Sequence, residues 1–294
     1  MAISKFIVTI SKIMIVNGKK IADKILTDSI QRVASLKRLG IIPHLAIVLL
    51  GHDHASLTYI KKKREAAELV GVKFTLYHLA TSLSTNQVVS KLKIIQSKKL
   101  SGIIVQLPLP RKYDSKKILN AISPELDIDL LTYTTWGQLA SAENRLEPPT
   151  PSAIMEVLKF YKINLTGKHV VIVGRGWLIG RPIANVLLQE PVTLTICGKS
   201  TKKLAHYTRQ ADIVISAVGK YNLIRGNMIK PGAIVIDAGF TTHRGMPCGD
   251  VNVSEIAKRA KLVTPTPGGI GPITVAKLIS NVIANAEYLL NERN

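Results

Sequence analysis

The chain has 294 residues, 46% of them hydrophobic, and a formal net charge of +21 from 40 Lys and Arg against 19 Asp and Glu. That length suits two domains with separate cores, and no apolar run is long enough to span a bilayer. The charge raises nucleic-acid binding, but the basic residues are spread along the chain, aromatic residues make up only 5%, and no RNA-binding or zinc-finger signature is present.

A basic composition throughout the source organism, or a polyanionic small substrate, accounts for the charge as well. Cys197 and Cys248 form no CxxC pair and no metal-ligand spacing. They fit a reducing compartment, so a cytoplasmic location is expected.

Residues 1–12, MAISKFIVTISK, are too short and lack the cleavage site of a secretory signal. They read either as a weak transit peptide or as sequence upstream of a start at Met14, and residues 1–13 are expected to add nothing to folding. Beyond them, strand and helix patterns alternate, the mark of an α/β architecture. Apolar periodicity predicts a helix over 19–39, a strand over 45–51, a helix over 55–70, a strand over 74–79, a helix over 86–97 and a strand over 102–110.

Three prolines in EPPTPSA, residues 147–153, suggest a linker followed by a helix to Tyr161. Further strands are predicted over 169–174, 194–197, 213–219, 233–239 and 262–267. Their continuous branched-apolar runs are those of strands covered on both faces. A last helix is predicted over 273–290. Residues 1–150 therefore form one expected domain, and 151–272 a second, Rossmann-like domain.

Five stretches carry chemistry. HVVIVGRGWLIGRP, residues 169–182, reads as strand, glycine turn and helix. Gly174 and Gly176 permit the turn, and Gly180 permits close packing of a helix whose N-terminus favours a pyrophosphate. The spacing is GxGxxxG, so an ordinary tight turn is the competing explanation. No acid follows the next strand. Lys199, Ser200 and Thr201 stand there instead, with Arg175 in the turn itself. Cations and hydroxyls suit the ribose phosphate of NADP, although Lys199 is equally readable as a solvated loop lysine.

PTPGGIGPIT, residues 265–274, combines Gly268, Gly269 and Gly271 with prolines ahead of the last helix. So little side-chain bulk suits a backbone laid against a planar ring, and Pro272 suits the helix start. Tyr59 and Lys63 are four residues apart and share a helix face. A partly desolvated lysine there could stay neutral and basic, or KKKR could be a solvated charged face. Gln106 ends an apolar strand, where a polar side chain needs a partner or lies at a ligand-binding sheet edge. Asp127 and Asp129 would share one face if extended, to bind a ligand's donors or to cap a turn. His52 and His54 flank Asp53 with no further metal-ligand cluster, so no metal site is assigned.

Taken in order, these residues resemble the bifunctional methylenetetrahydrofolate dehydrogenase/methenyltetrahydrofolate cyclohydrolase family. The motifs are Y-x-x-x-K at Tyr59 and Lys63, VQLPLP at 105–110, D-x-D at Asp127 and Asp129, GR-x-x-x-x-GRP at 174–182 and PGGIGP-x-T at 267–274. Where the family usually has other residues, this chain has Leu126, Leu130, Thr135, Gly176, Gly198 and Lys199.

The resemblance implies NADP-dependent oxidation of methylenetetrahydrofolate and hydrolysis of the methenyl product to formyltetrahydrofolate, in one cleft between the two domains, the first of them completed by the helix in 273–294. It implies that Lys63 is the key residue of the hydrolysis, that Tyr59 stacks on and bonds the pterin, and that Gln106 bonds Lys63. It further implies that Asp129 anchors the pterin amino edge and that Pro267, Gly268 and Gly269 lie by the substrate. Gly174, Arg175, Gly176, Gly180, Lys199, Gly271 and Thr274 would bind NADP. The implied partners are tetrahydrofolate derivatives, with or without a polyglutamate tail, and a second copy joined through the cofactor domain. No nucleic-acid or membrane partner is implied. A monofunctional dehydrogenase is the competing enzyme, and a basic nucleic-acid-binding protein the competing class.

Overall fold

The structure is a computed structural model that describes residues 13–292. β1 (Met14–Ile15) leads into α1 (Gly18–Arg38), whose N-cap Asn17 accepts the Lys20 N–H. A βα series follows: β2 (His44–Leu50), α2 (His54–Val70), β3 (Lys73–Leu79), α3 (Thr85–Gln96) and β4 (Gly102–Val105). These strands form a parallel sheet in the order β3-β2-β4. The central strand, β2, is buried along its whole length, as its unbroken run of apolar residues requires.

Two short helices, α4 (Ser115–Leu119) and α5 (Tyr133–Ala140), precede α6 (Pro149–Phe160). The second series is β5 (His169–Val173), α7 (Gly180–Leu187), β6 (Thr193–Cys197), α8 (Leu204–Thr208), β7 (Ile213–Ser216) and β8 (Ile234–Asp237). A hairpin of β9 (Thr241–His243) and β10 (Met246–Cys248) follows, then α9 (Val253–Ile256), β11 (Leu262–Val263) and α10 (Ile270–Asn291). The larger parallel sheet has the order β1-β11-β8-β7-β5-β6. The strand order changes direction beside β5, which places the β5–α7 turn at the switch point where doubly wound sheets bind ligands.

Several expectations need correction. Residues 149–153 are not a linker but the first turns of α6, because Pro149 and Pro151 fall where the N–H groups have no helical acceptor. The strand expected to reach Pro110 stops at Val105, since the prolines cannot continue the ladder. α10 begins at Ile270, so Pro272 lies inside its first turn rather than at its start. Met14 and Ile15 pair with Leu262 and Val263. They thus extend the larger sheet, although the division at residue 150 had grouped them with the smaller one. Residues 1–12, on which nearly all of the expectation about 1–13 falls, lie outside the described residues, while Ile13 packs against the core of the larger sheet.

α10 ties the two layers together. Its Val275, Ile279, Val282 and Ile283 join the core shared with α1 and α2, while Ile270 and Ile273 join the core of the larger sheet. No helix among the described residues is long and apolar enough to cross a membrane.

Candidate active site

The Lys63 ammonium has an unusual setting for a residue in a KKKR run. α2 is capped at its start by Asp53, which accepts the Ser56 N–H at 2.7 Å, and stopped by Gly71 in the left-handed region. On this helix Lys61, Lys62 and Arg64 face outward, while Lys63 is only 5% exposed. Its Nζ donates to Gln106 Oε1 at 3.1 Å and sits 4.9 Å from the Tyr59 ring centroid. The solvated-face alternative is therefore wrong for Lys63 and right for its neighbours.

Gln106 is held from both ends. Its backbone N–H bonds Val48 O at 2.9 Å just beyond β4. Its Nε2 donates to Leu107 O at 2.7 Å, which turns the amide oxygen toward Lys63. Burial lowers the Lys63 pKa, and the nearby Asp129 carboxylate opposes that shift. Burial likewise raises Asp129, against the pull of Lys63, and pushes the Tyr59 phenol well above its usual range.

The two aspartates divide their work. Asp127 is buried and accepts the Leu131 N–H at 2.9 Å, the Thr132 N–H at 2.8 Å and the Thr135 hydroxyl at 2.6 Å. It is the turn-capping member of the pair. Thr132 in turn caps α5 through the Thr135 N–H. Asn281 of α10 donates to Ile128 O at 3.0 Å, fixing the residue before Asp129. Leu130, one of the positions named above as departing from the family pattern, sits at φ 56° and is buried. A leucine in this region costs about 1–2 kcal/mol, offset by the apolar area it buries in the α1–α2 core.

The glycine turn after β5 is shaped as the sequence required. Gly174 has φ 112°, and a Cβ there would run into the Ala217 carbonyl. A Cβ at Gly180 would strike the Gly174 carbonyl, so the start of α7 lies directly against the turn. Gly176 faces open space. Arg175 and Lys199 are exposed, and Arg175 lies across Gly198, with its Nε 2.8 Å from where a Cβ would stand. Thr201 folds the following loop back through the Gly198 N–H at 2.9 Å. This cradle fits a dinucleotide, with bare backbone at the turn and cations beside it.

In the 265–271 loop, Pro267 and Gly268 are exposed and Gly271 meets open space. Gly269 is buried, and the close backbone approach foreseen for a ligand is made there by Gly18, whose N–H bonds Gly268 O at 2.9 Å. Thr274 bonds back to Ile270 O at 3.2 Å and reaches Thr150 on α6 at 3.4 Å, so it braces the loop. His52 and His54 are exposed, and His52 meets His78 edge-on at 4.4 Å.

Residue-by-residue reading missed a buried carboxylate pair at the ends of the second sheet. Asp250 accepts the Ser216 hydroxyl and the Val218 and Lys220 N–H groups at 2.6–2.8 Å. Asp237 accepts the N–H groups of Gly239, Asp250 and Val251 at 3.0–3.2 Å. Together they hold the loops after β7 and β8 beside the glycine turn. Asp237 closes an apolar strand as Gln106 nearly does, and that signal could have found it.

Residues 16–129 match the model for the tetrahydrofolate dehydrogenase/cyclohydrolase catalytic domain, and 148–290 that for its NAD(P)-binding domain. The chain is 39% identical over 280 residues to the bifunctional protein FolD of Nautilia profundicola, covering 95% of this chain and 99% of that one. It is similar to the crystal structure of the bifunctional enzyme FolD from Campylobacter jejuni, with TM-score 0.91, 37% identity and coverage of 94% and 99%. It is also similar to the dehydrogenase-cyclohydrolase of Trypanosoma brucei complexed with NADP and an inhibitor, with TM-score 0.91, 34% identity and coverage of 95% and 99%.

Proposed function

The chain belongs to the tetrahydrofolate dehydrogenase/cyclohydrolase family, and from that membership we propose how its own residues divide two reactions. It is a bifunctional enzyme of folate one-carbon metabolism. Methylenetetrahydrofolate is oxidised to methenyltetrahydrofolate in an NADP-dependent step, and the methenyl carbon is then hydrolysed to the formyl product. NADP, when bound, supplies the acceptor for the hydride. The buried Lys63–Gln106 contact carries the assignment, because it places an amine of lowered proton affinity at a sheet edge.

In the hydrolysis a water oxygen bonds to the methenyl carbon and loses a proton; one carbon–nitrogen bond then breaks as that nitrogen gains a proton and the remaining hydroxyl proton leaves, which forms the formyl carbonyl with net release of one proton. Lys63, in its neutral form, takes the proton from the attacking water. Gln106 fixes the amine and keeps its lone pair aimed into the cleft. Tyr59 lies against the pterin. Asp129, raised by burial, pairs with the pterin's amino edge. Pro267 and Gly268 wall the substrate side, and Gly269, held from behind by Gly18, fixes their position. Gly271 and the loop braced by Thr274 face the cofactor, with Gly174, Arg175, Gly176, Gly180 and Lys199 around its phosphates. The missing acid after β6 and the exposed Arg175 and Lys199 support NADP over NAD.

The enzyme is proposed to work in the cytoplasm as a homodimer joined through the cofactor domain. The open edge of the larger sheet supports this: β6 is its last strand, with Ile196 49% and Leu188 72% exposed. A monofunctional dehydrogenase is disfavoured because Lys63 and Gln106 are both present and bonded to each other.

The test is Lys63→Met, which keeps the stem and removes the amine. Cyclohydrolase initial rates should fall by about a hundred- to ten-thousand-fold, the usual contribution of a positioned proton-transfer group. Dehydrogenase activity should survive at a reduced level. Methenyl hydrolysis near the wild-type rate in the folded variant would remove Lys63 from this role.

A further inference from the structure

The chain has two tryptophans, and the fold brings them together. The Trp136 and Trp177 ring centroids are 4.2 Å apart, with planes inclined by 30°. Trp136 sits on α5, a few residues after Asp129 and on the helix anchored by Asp127 through Thr132 and Thr135. Trp177 sits in the glycine turn of the other domain, between Gly176 and Gly180. It packs away from its own sheet, against the core around β2, β4 and α3.

The contact continues on the cofactor side. The Arg181 guanidinium lies 5.9 Å over the Trp177 ring, and its Nε donates to the Arg175 carbonyl at 3.2 Å. One series of contacts therefore runs from the Asp129 segment, through both indoles and Arg181, to the backbone of Arg175.

Core filling alone does not explain the pair. Both indoles are only half-buried, and Trp136 Nε1 is buried without an acceptor among the described residues. An unmade hydrogen bond of this kind is destabilising, and phenylalanine at the same place would avoid it. What two indoles provide is a broad rigid contact across a domain boundary, with a ring–ring attraction beyond the area buried.

We propose that Trp136 and Trp177 form an interdomain latch that sets the distance between the glycine turn and the Asp129 segment, making Trp177 a positioning residue for hydride transfer. Hydride transfer needs donor and acceptor about 3–3.5 Å apart, and a 1 Å misplacement costs about a hundred-fold. The donor carbon is placed by the folate side and the acceptor by the glycine turn, so the latch controls that gap. Hydrolysis draws on Lys63, Tyr59 and Gln106, all on the folate side, and is insensitive to it. The proposal rests on assigning the turn to NADP and Lys63 to hydrolysis.

The test uses the full chain as wild type, Trp177→Ala, Trp177→Phe and Trp136→Phe. Because the pair contains every tryptophan in the chain, its exciton couplet in circular dichroism reports the contact without reference to activity. The couplet should be present in the wild type and absent from each variant. Trp177→Ala should lower the dehydrogenase kcat by about ten-fold or more, within the range that misplacement allows, while cyclohydrolase rates stay within about two-fold. Trp177→Phe keeps an aromatic face and should retain more than about half of the dehydrogenase rate, which keeps the proposal testable if Trp177→Ala fails to fold. Equal loss of both activities, an unchanged dehydrogenase rate in Trp177→Ala, or a wild type without the couplet would overturn the latch. A wild type that shows the couplet but no dehydrogenase activity would instead overturn the cofactor assignment, and the positioning role with it.

Discussion

At the residue scale, burial separates side chains that look alike in the sequence. Lys61, Lys62 and Lys63 are chemically identical, yet only Lys63 is taken out of water and given an amide partner. Asp127 spends its lone pairs on backbone N–H groups, whereas Asp129 meets Lys63. The same logic gives Asp237 a measurable signature. Burial is the main cause pushing its carboxyl up to about 6; the Asp250 carboxylate adds to the rise, and the N–H donors of Asp250 and Val251 oppose it. The unfolded carboxyl, at 3.8, releases its proton first, and the folded one keeps it until the pH approaches about 6. Stability should therefore fall as pH rises between these values and level off above them, by up to about 3 kcal/mol. Asp237→Asn should flatten that decline, which denaturant midpoints from pH 4 to 7 would show. An unchanged slope would mean that another group titrates there.

At the element scale, the loop before α10 is shaped by α1 as much as by its own glycines. Gly18 is the first residue of α1, and a Cβ on it would overlap the Gly269 carbonyl, with Gly268 O only 2.6 Å away. Both obstacles are backbone, so neither can rotate aside. Gly18→Ala should cost about 1–3 kcal/mol through overpacking and displace residues 267–269. A melting curve together with folate KM values would check this, with a lower melting temperature and a raised folate KM expected. The glycine turn after β5 shows the opposite case. There Gly176 keeps free space in front of its backbone, while Gly174 and Gly180 serve contacts within the protein.

At the scale of the whole molecule, the charge of +21 acts as a field rather than a site. A strongly cationic surface draws anionic ligands toward the cleft, and salt weakens that attraction within a Debye length of about 8–10 Å. NADP carries one phosphate more than NAD, and Arg175 and Lys199 are exposed where that phosphate is proposed to lie. The KM for NADP should therefore rise more steeply with ionic strength than the KM for NAD. Arg175→Ala should raise the NADP value far more than the NAD value and bring the two salt slopes together. Equal effects on both cofactors would remove Arg175 from the phosphate site.

Local chemistry made much of this protein readable without coordinates. Branched-apolar runs marked buried parallel strands, glycines at 174, 176 and 180 marked a turn that needs bare backbone, and Tyr59 with Lys63 shared a helix face by spacing alone. Those features depend on residues near one another in the chain. Other features waited for tertiary structure because their partners are distant in sequence. Whether Lys63 was solvated depended on Gln106, just beyond the end of β4. The tightness of the 265–271 loop depended on Gly18, from the far end of the chain. The placement of Met14 and Ile15 depended on a free edge beside β11. Asp237 met Asp250, and Trp136 met Trp177, only after the sheets and helices had packed, since burial and close approach are properties of the assembled core and not of any single segment.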